Sequence, residues 1–193
     1  ARSCPWEDEW YEECLENYIV TEKSMDSNPC IQYLFNDLKK SLEDFDGIFD
    51  KLEKICQSPD GPAGYLATVS EDHQLIKMLI NSENFEMLVK RINLSSFGNI
   101  GRCSKGVDEE KKNYVKQERD NFKNFLTKDV KGKLITGDIN KIYKDIVDNT
   151  PAVRMMVHLA LEFSQRMSGE KKRRNVIDFN DMEHMALNIL IKR

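Results

Sequence analysis

Apolar residues recur at alternating steps of four and three along the segment that follows Asn28 and Pro29. The series is Ile31, Phe35, Leu38, Leu42, Phe45, Phe49, Leu52 and Cys56. This spacing predicts a helix with one buried face, and Asn28 and Pro29 supply a helix N-cap and a first-turn proline. About 28 helical residues span roughly 42 Å. We therefore expect a long helix that continues past Gly47 towards Cys56, either as the central helix of a bundle or as an arm that projects from a larger body.

Shorter blocks with helical periodicity fill most of the remaining chain, and no segment shows the strict alternation of a strand. Residues 93–106 hold three glycines and little periodicity, which predicts a mobile loop. The other predicted helices are one that opens at Pro5 with Trp6, Trp10, Cys14 and Tyr18 on one stripe, two short ones capped at Ser70 and Ser82, a long one over residues 107–130, and two over residues 139–149 and 151–167. The predicted fold class is all-α, an irregular multi-helix bundle with two long helices that form an arm-like insertion.

The last predicted helix has the sharpest start. Asp178 is suited to be its N-cap, and Asp181 and Glu183 place negative charge at the positive end of the helix dipole. Behind this start, apolar residues fall at spacings of three and four: Phe179, Met182, Met185, Ala186, Ile189 and Leu190. The pattern predicts a capped helix with one buried face.

The formal net charge of −4 conceals an uneven distribution of charge. Residues 1–60 hold 6 Lys and Arg against 15 Asp and Glu, whereas residues 102–144 hold 12 against 7. Two basic groups stand out, namely Lys112, Lys116, Arg119 and Lys123 on one side of the second long helix, and Lys171, Lys172, Arg173 and Arg174 in a predicted loop over residues 168–175. We expect both groups to contact the phosphates of duplex DNA. The alternative is that they are merely solvated faces.

The sequence contains no recognisable catalytic motif. The Gly-rich phosphate-binding loop that ends in Lys and Ser or Thr is absent, and so is a paired-cysteine zinc motif. His158, Glu162 and His184 are potential metal ligands, but structural histidines are the better interpretation, and a metal hydrolase would need a bound transition metal. We therefore predict no catalytic residue, no metal and no cofactor in this chain.

Cysteine usage and hydropathy narrow the cellular setting. The five cysteines form no Cys-x-x-Cys pair, which favours a reduced, intracellular environment. No apolar run approaches the roughly 18 residues that a membrane span requires. We expect a cytoplasmic protein with no membrane partner. The chain begins without Met, so we also expect it to be an excised segment of a longer protein.

The stretch Val-Ile-Asp-Phe-Asn-Asp-Met-Glu-His, residues 176–184, resembles a segment of the bacterial AddA (RexA) helicase-nuclease proteins, which are superfamily 1, UvrD-like helicases. Four motifs nearer the N-terminus also resemble segments of this family and occur in the same order. They are Cys-Pro-Trp at 4–6, Gly-Tyr-Leu-Ala at 64–67, Asp-Glu-Glu at 108–110 and Thr-Pro-Ala-Val at 150–153. The resemblance implies a helical 1B insertion over residues 1–174 and a return towards the first motor domain over residues 175–193. The residues of this motor-junction motif are Asp178, Phe179, Asn180, Asp181, Glu183 and His184.

The resemblance also implies a function for the longer parent protein. That family comprises ATP-dependent DNA helicases and exonucleases that act in double-strand break repair and recombination with an AddB/RexB-like second subunit in the bacterial cytoplasm. ATP, Mg²⁺ and the nuclease carboxylates would belong to other parts of the parent. This segment would contact duplex DNA and brace the motor, without ATPase or nuclease activity of its own. The alternative is a non-enzymatic protein-interaction module whose acidic long helix docks a partner.

Overall fold

A computed structural model of the chain describes residues 7–19, 25–103 and 106–190. These residues form helices and no strand, so the predicted all-α fold class is confirmed. The helices are α1 (Glu7–Tyr18), α2 (Pro29–Gln57), α3 (Leu66–Ile80), α4 (Phe85–Leu94), α5 (Glu109–Asn124), α6 (Ile139–Arg174) and α7 (Phe179–Leu190). A 3-10 turn (Ala63–Tyr65) precedes α3, and a π-helical segment (Phe125–Leu134) continues α5. None of the described helices combines the length and the apolar character needed to cross a bilayer.

The chain divides into two compact units. The bundle unit is Lys23–Tyr143, and the terminal unit is Ala1–Glu22 together with Lys144–Arg193. The division falls within α6. The boundary at residue 174 that the family resemblance implies separates domains of a parent protein, and it stays a prediction.

The long helix α2 follows the predicted pattern closely. The Asn28 side chain accepts hydrogen bonds from the amides of Cys30 and Ile31 at 3.0 and 3.2 Å, and Pro29 occupies the first turn. The helix continues through Gly47. No neighbouring atom lies within 4 Å of the position that a Cβ would take there. Its buried residues are Ile31, Leu38, Leu42, Phe49, Leu52 and Cys56. Because α2 packs against α3, α4 and α5, it is the central helix of the bundle unit rather than a projecting arm.

Aromatic side chains fill the centre of the bundle unit. The ring of Phe122 on α5 lies 5.2 Å from that of Phe45, 5.4 Å from that of Phe49 and 5.6 Å from that of Phe97, measured between centroids. Phe49 and Phe122 are fully buried. Edge-on and tilted ring pairs at such distances contribute about 0.5–1.5 kcal/mol each beyond the area they bury. This cluster joins α2, α5 and the irregular segment that follows α4.

The predicted mobile loop is held in place over its described part, residues 93–103. The side chain of Thr68 donates to the Asn99 carbonyl oxygen. A Cβ on Gly101 would clash with the Gly64 carbonyl oxygen, and a Cβ on Gly64 would clash with that of Arg102. The segment lacks regular secondary structure, as expected, but backbone contacts and the packing of the half-buried Phe97 ring against Phe122 fix its path. Gly101 therefore serves close packing.

The predicted break at Pro151 and the predicted loop over residues 168–175 are wrong, because α6 is one helix of 36 residues. The Thr150 hydroxyl donates to the Ile146 carbonyl oxygen at 2.9 Å, one turn before the proline. Beyond Gly169 the helix continues through residues of high helix propensity. It ends at Asn175, whose φ of 52° lies in the left-handed region, and the amide of Val176 donates to the Lys171 carbonyl oxygen in a Schellman-type ending.

The terminal unit has no fully buried side chain among its described residues. On α1, the stripe residues Trp10, Cys14 and Tyr18 are only half-buried. The Cys-Pro-Trp motif at residues 4–6 lies outside the described residues. Most of the apolar face of α7, which the sequence pattern predicts to be buried, is exposed. The amphipathic pattern is present as predicted, but no described element covers it.

Candidate functional site

Arg119 does not belong to an exposed basic stripe. It is 5% exposed, and its Nε donates to Asp72 Oδ2 on α3 at 2.6 Å. One of its terminal nitrogens also donates to the Gly98 carbonyl oxygen at 2.7 Å. Val115 and Phe122, four residues before and three residues after Arg119, are both buried, so helical geometry turns the guanidinium inward. The prediction that Arg119 contacts DNA is therefore corrected, because this side chain is a structural cation.

The buried partner of Arg119 is a carboxylate whose ionisation is under two opposing influences. Burial raises the pKa of Asp72, and the adjacent Arg119 guanidinium acts in the opposite direction. An ion pair this deeply buried compensates its desolvation only if its hydrogen bonds are well formed. Asp72 and Arg119 thereby join α3, α5 and the segment after α4.

The three lysines of the predicted stripe remain accessible to different degrees. Lys112 is half-buried and donates to Glu109 Oε1 at 2.8 Å, and this hydrogen bond raises the pKa of Lys112. The Nζ of Lys116 lies 5.7 Å from the centre of the Tyr65 ring, a cation–π distance. Lys123 is exposed. These lysines share one side of α5, and their contact with DNA stays a prediction.

The second basic group forms the last turn of α6 instead of a loop. Lys171 Nζ donates to Asp178 at 2.8 Å and to Asp181 at 2.9 Å, so it ties the end of α6 to the start of α7. Arg173 and Arg174 both donate to Glu170, which lowers the pKa of that carboxyl. Lys172, Arg173 and Arg174 are exposed. Lys171 positions a helix, and the other three cations face solvent.

The acidic motif before α7 forms a reciprocal cap. The Asp181 amide donates to Asp178 Oδ1, and the Asp178 amide donates to Asp181 Oδ2, each at 2.9 Å. This is the capping-box arrangement, with Asp178 at the N-cap as predicted. Hydrogen bonds from Lys171 and the Asp181 amide lower the pKa of Asp178, and those from the Asp178 amide and Lys171 lower the pKa of Asp181. Both carboxylates therefore have a structural role.

The remaining junction residues line or flank a cleft within the terminal unit. Phe179, Asn180 and Glu183 are exposed. His184 is half-buried, and its Nε2 is shielded from solvent without a hydrogen-bond partner in the described part of the chain. A cavity of about 640 Å³ between the end of α6 and α7 is lined in part by Lys171, Lys172, Asn175, Asp181, His184 and Met185. The sequence pattern gave no sign of this cleft, because its walls depend on the turn at Asn175.

The described residues define an all-helical segment with basic and apolar surfaces and no recognisable catalytic constellation. No family model matches the chain. Curated relatives do match, and the chain is 28% identical to the A subunit of the ATP-dependent helicase/nuclease of Syntrophomonas wolfei over 94% of its length. It is 28% identical to the protein of the same name from Clostridium botulinum over 97% of its length. With that of Clostridium acetobutylicum, identity is 34% over 61% of the chain.

The chain spans about 15% of the length of the first two relatives. The matches to them run over nearly all of the chain, so the resemblance stated from the sequence motifs is confirmed. The chain is related to a segment of these ATP-dependent helicase/nuclease proteins.

The buried ion pair predicts a strong effect of truncating one partner. Replacing Arg119→Ala should lower the free energy of unfolding by about 3–5 kcal/mol, because Asp72 would be left buried and unpaired. The matched change Lys116→Ala should stay within about 0.5 kcal/mol. Urea denaturation followed by circular dichroism measures both. Equal midpoints for the two variants would show that the ion pair of Arg119 with Asp72 stabilises the fold no more than Lys116 does.

The cap of α7 predicts a loss of helix order in acid. Both carboxyls have a pKa below their ordinary value of 3.8, so their stabilisation is present above that value and is lost as the pH falls below it. Amide hydrogen exchange at Asp181 and Met182 should accelerate through this window. Asp178→Ala should accelerate it already at neutral pH, whereas Asp178→Asn should retain a cap. Unchanged exchange in Asp178→Ala would contradict the capping role.

Proposed function

We propose that this chain is a non-catalytic accessory segment of an ATP-dependent DNA helicase/nuclease, and that it braces the motor domains and contacts duplex DNA. The parent protein would act in double-strand break repair and recombination with an AddB/RexB-like partner in the bacterial cytoplasm. ATP, Mg²⁺ and the nuclease carboxylates would be held by other parts of that parent. The observation that carries the proposal is the uncovered apolar face of the terminal unit.

This α6–α7 apolar surface is extensive for a protein exposed to water. Its exposed members are Met155, Met156, Leu159, Phe163 and Met167 on α6 and Phe179, Met182, Met185, Ile189 and Leu190 on α7. Phe179 and Leu190 are 82% and 80% exposed. Large apolar patches on soluble proteins mark interaction sites, and covering them contributes about 25 cal/mol per Å² buried. The curated relatives are several times longer than this chain, which supports a covering surface within the same polypeptide.

The motor-junction motif has a natural role in this arrangement. Asp178 and Asp181 start α7, and Lys171 fixes that start to the end of α6. The orientation of Phe179 and the following apolar side chains is thereby determined before any partner surface is met. A preorganised helix loses less conformational freedom when it packs, so the cap favours docking onto the motor.

DNA contact would be made by cations that solvent reaches at least in part, without sequence readout. The candidates are Lys112, Lys116 and Lys123 on α5 and Lys172, Arg173 and Arg174 at the end of α6. Lysine and arginine bind phosphates through charge and hydrogen bonds and release condensed counterions. Lys171 is engaged by two carboxylates and Arg119 by Asp72, so we assign neither to the DNA surface.

The alternative of an interaction module that docks through α2 is not favoured. The apolar face that such docking would use is already buried within the bundle unit. An acidic surface remains on the other side of α2, but charge alone does not define a docking site.

If the α6–α7 apolar surface braces the motor domains, its residues should be needed for the activity of the parent protein and not for the folding of the isolated chain. Phe179→Asp combined with Leu190→Asp should leave the helicity of the isolated chain unchanged and strongly reduce ATP-dependent unwinding by the full-length parent. The matched control is Tyr33→Asp combined with Leu94→Asp, at residues that are 75% and 76% exposed in the bundle unit. Full unwinding activity in the first double variant would refute the bracing role.

Contact with DNA predicts a salt-dependent affinity of the isolated chain for duplex DNA, with a dissociation constant of roughly 10⁻⁴–10⁻⁶ M. Lys116→Ala combined with Lys123→Ala should flatten the plot of log affinity against log salt by about 0.9 per lost phosphate contact. Lys51→Ala combined with Lys54→Ala, on α2, removes the same charge from another surface and should have less effect. Fluorescence anisotropy over a salt series measures the slopes. Identical slopes for both double variants would show that the α5 lysines are only solvated.

A further inference from the structure

A histidine on α3 is buried among carboxylates of α2. His73 is 2% exposed, and its Nε2 lies 2.9 Å from Asp46 Oδ1 and 3.7 Å from Asp50 Oδ1. Its Nδ1 lies 3.3 Å from Glu53 Oε1. The three acids occur at steps of four and three along α2 and so share one face of that helix. None of the sequence motifs points to this cluster.

Each of the two ring nitrogens of His73 faces a carboxylate oxygen. Asp46 is close enough to accept a hydrogen bond from Nε2–H, and a neutral imidazole carries only that one N–H. Nδ1 then presents a lone pair towards Glu53 Oε1, which is also an acceptor. Two acceptors stay 3.3 Å apart in a buried setting only if a cation lies between them. That cation is either a second proton on His73 or a metal ion.

The donor spacing fits a metal ion. Ligand atoms of Asp50, Glu53 and His73 all lie within 4.8 Å of one another. In a tetrahedral site with bonds of about 2.0–2.1 Å, ligand atoms are roughly 3.3 Å apart, which is the Glu53 to Nδ1 separation. Asp50 Oδ1 lies 3.7 Å from Nε2 rather than beside Nδ1, so this 55% exposed side chain would turn towards Nδ1 to bind the ion.

Hydrogen bonds outside the donor set already orient it. Asp46 would hold the imidazole through Nε2–H, as carboxylates commonly do behind metal-binding histidines. The Ser70 hydroxyl donates to Glu53 Oε1 at 2.7 Å and is the main cause of the lowered pKa of Glu53. Glu53 is thus ionised and directed towards Nδ1.

We propose that His73, Asp50 and Glu53 bind a divalent first-row transition-metal ion, with Asp46 as the residue that positions His73. One imidazole with several carboxylates suits ions such as Zn²⁺, Mn²⁺, Fe²⁺ and Co²⁺. The ion would link α2 to α3 in the bundle unit. Its role is structural, and it is independent of the docking and DNA contacts proposed above.

Titration of the purified chain with Co²⁺, followed by visible absorption and equilibrium dialysis, tests the site. We expect one ion per chain, a ligand-field spectrum without thiolate charge-transfer bands, and an increase in melting temperature. Asp50→Asn and Glu53→Gln should each weaken the affinity by about 10–100-fold or more. Asp44→Asn, which removes the same charge from an exposed position on α2, and His158→Gln should leave the affinity unchanged.

The two carboxylate variants keep the proposal falsifiable even if His73→Gln fails to fold. Absence of Co²⁺ uptake at millimolar concentration would overturn the proposal and leave a doubly protonated His73 as the cation. Uptake that persists in Asp50→Asn and Glu53→Gln, or that shows thiolate bands, would overturn it as well, because the ion would then be bound elsewhere.

Discussion

The buried face of α2 is the constraint on which the bundle unit depends. Residues such as Phe49 and Leu52 are completely shielded from water, and each contributes about 1.5–3 kcal/mol relative to an exposed position. A typical hydrogen bond contributes only about 1 kcal/mol net. Because α2 presents its apolar face to α3, α4 and α5, the positions of these helices follow from it. The inward direction of Arg119 and the burial of His73 are consequences of the same packing.

The terminal unit lacks a comparable constraint. Its local structure is well specified by the reciprocal cap at Asp178 and Asp181 and by the helix ending at Asn175. Most of its large apolar side chains nevertheless remain exposed, because α1, α6 and α7 leave them uncovered. Local hydrogen bonds thus determine where its helices begin and end, and a tertiary partner is needed to bury their faces. This contrast is expected if the unit is part of a larger motor.

Local signals were predicted well from the sequence, and long-range contacts were not. The caps at Asn28 and Asp178 depend on side chains within three residues, so the pattern alone identified them. The predicted caps at Ser70 and Ser82 are wrong, because α3 begins at Leu66 and the Asn84 side chain caps α4. The ion pair between Asp72 and Arg119 joins residues 47 positions apart. The only sequence signal for the burial of Arg119 is its spacing from the apolar residues Val115 and Phe122 on the same helix. The pattern also predicts breaks at Pro151 and near Gly169, but α6 continues through both because the helix-forming residues around them prevail.

Hydrogen–deuterium exchange of the isolated chain and of its full-length parent tests the central claim most directly. The account predicts that peptides from α7 and from the second half of α6 exchange rapidly in the isolated chain and become strongly protected in the parent. Peptides from α2 should be protected equally in both, because the bundle unit buries that helix by itself. Equal exchange of the α7 peptides in both proteins would contradict the claim that the α6–α7 apolar surface packs onto the motor.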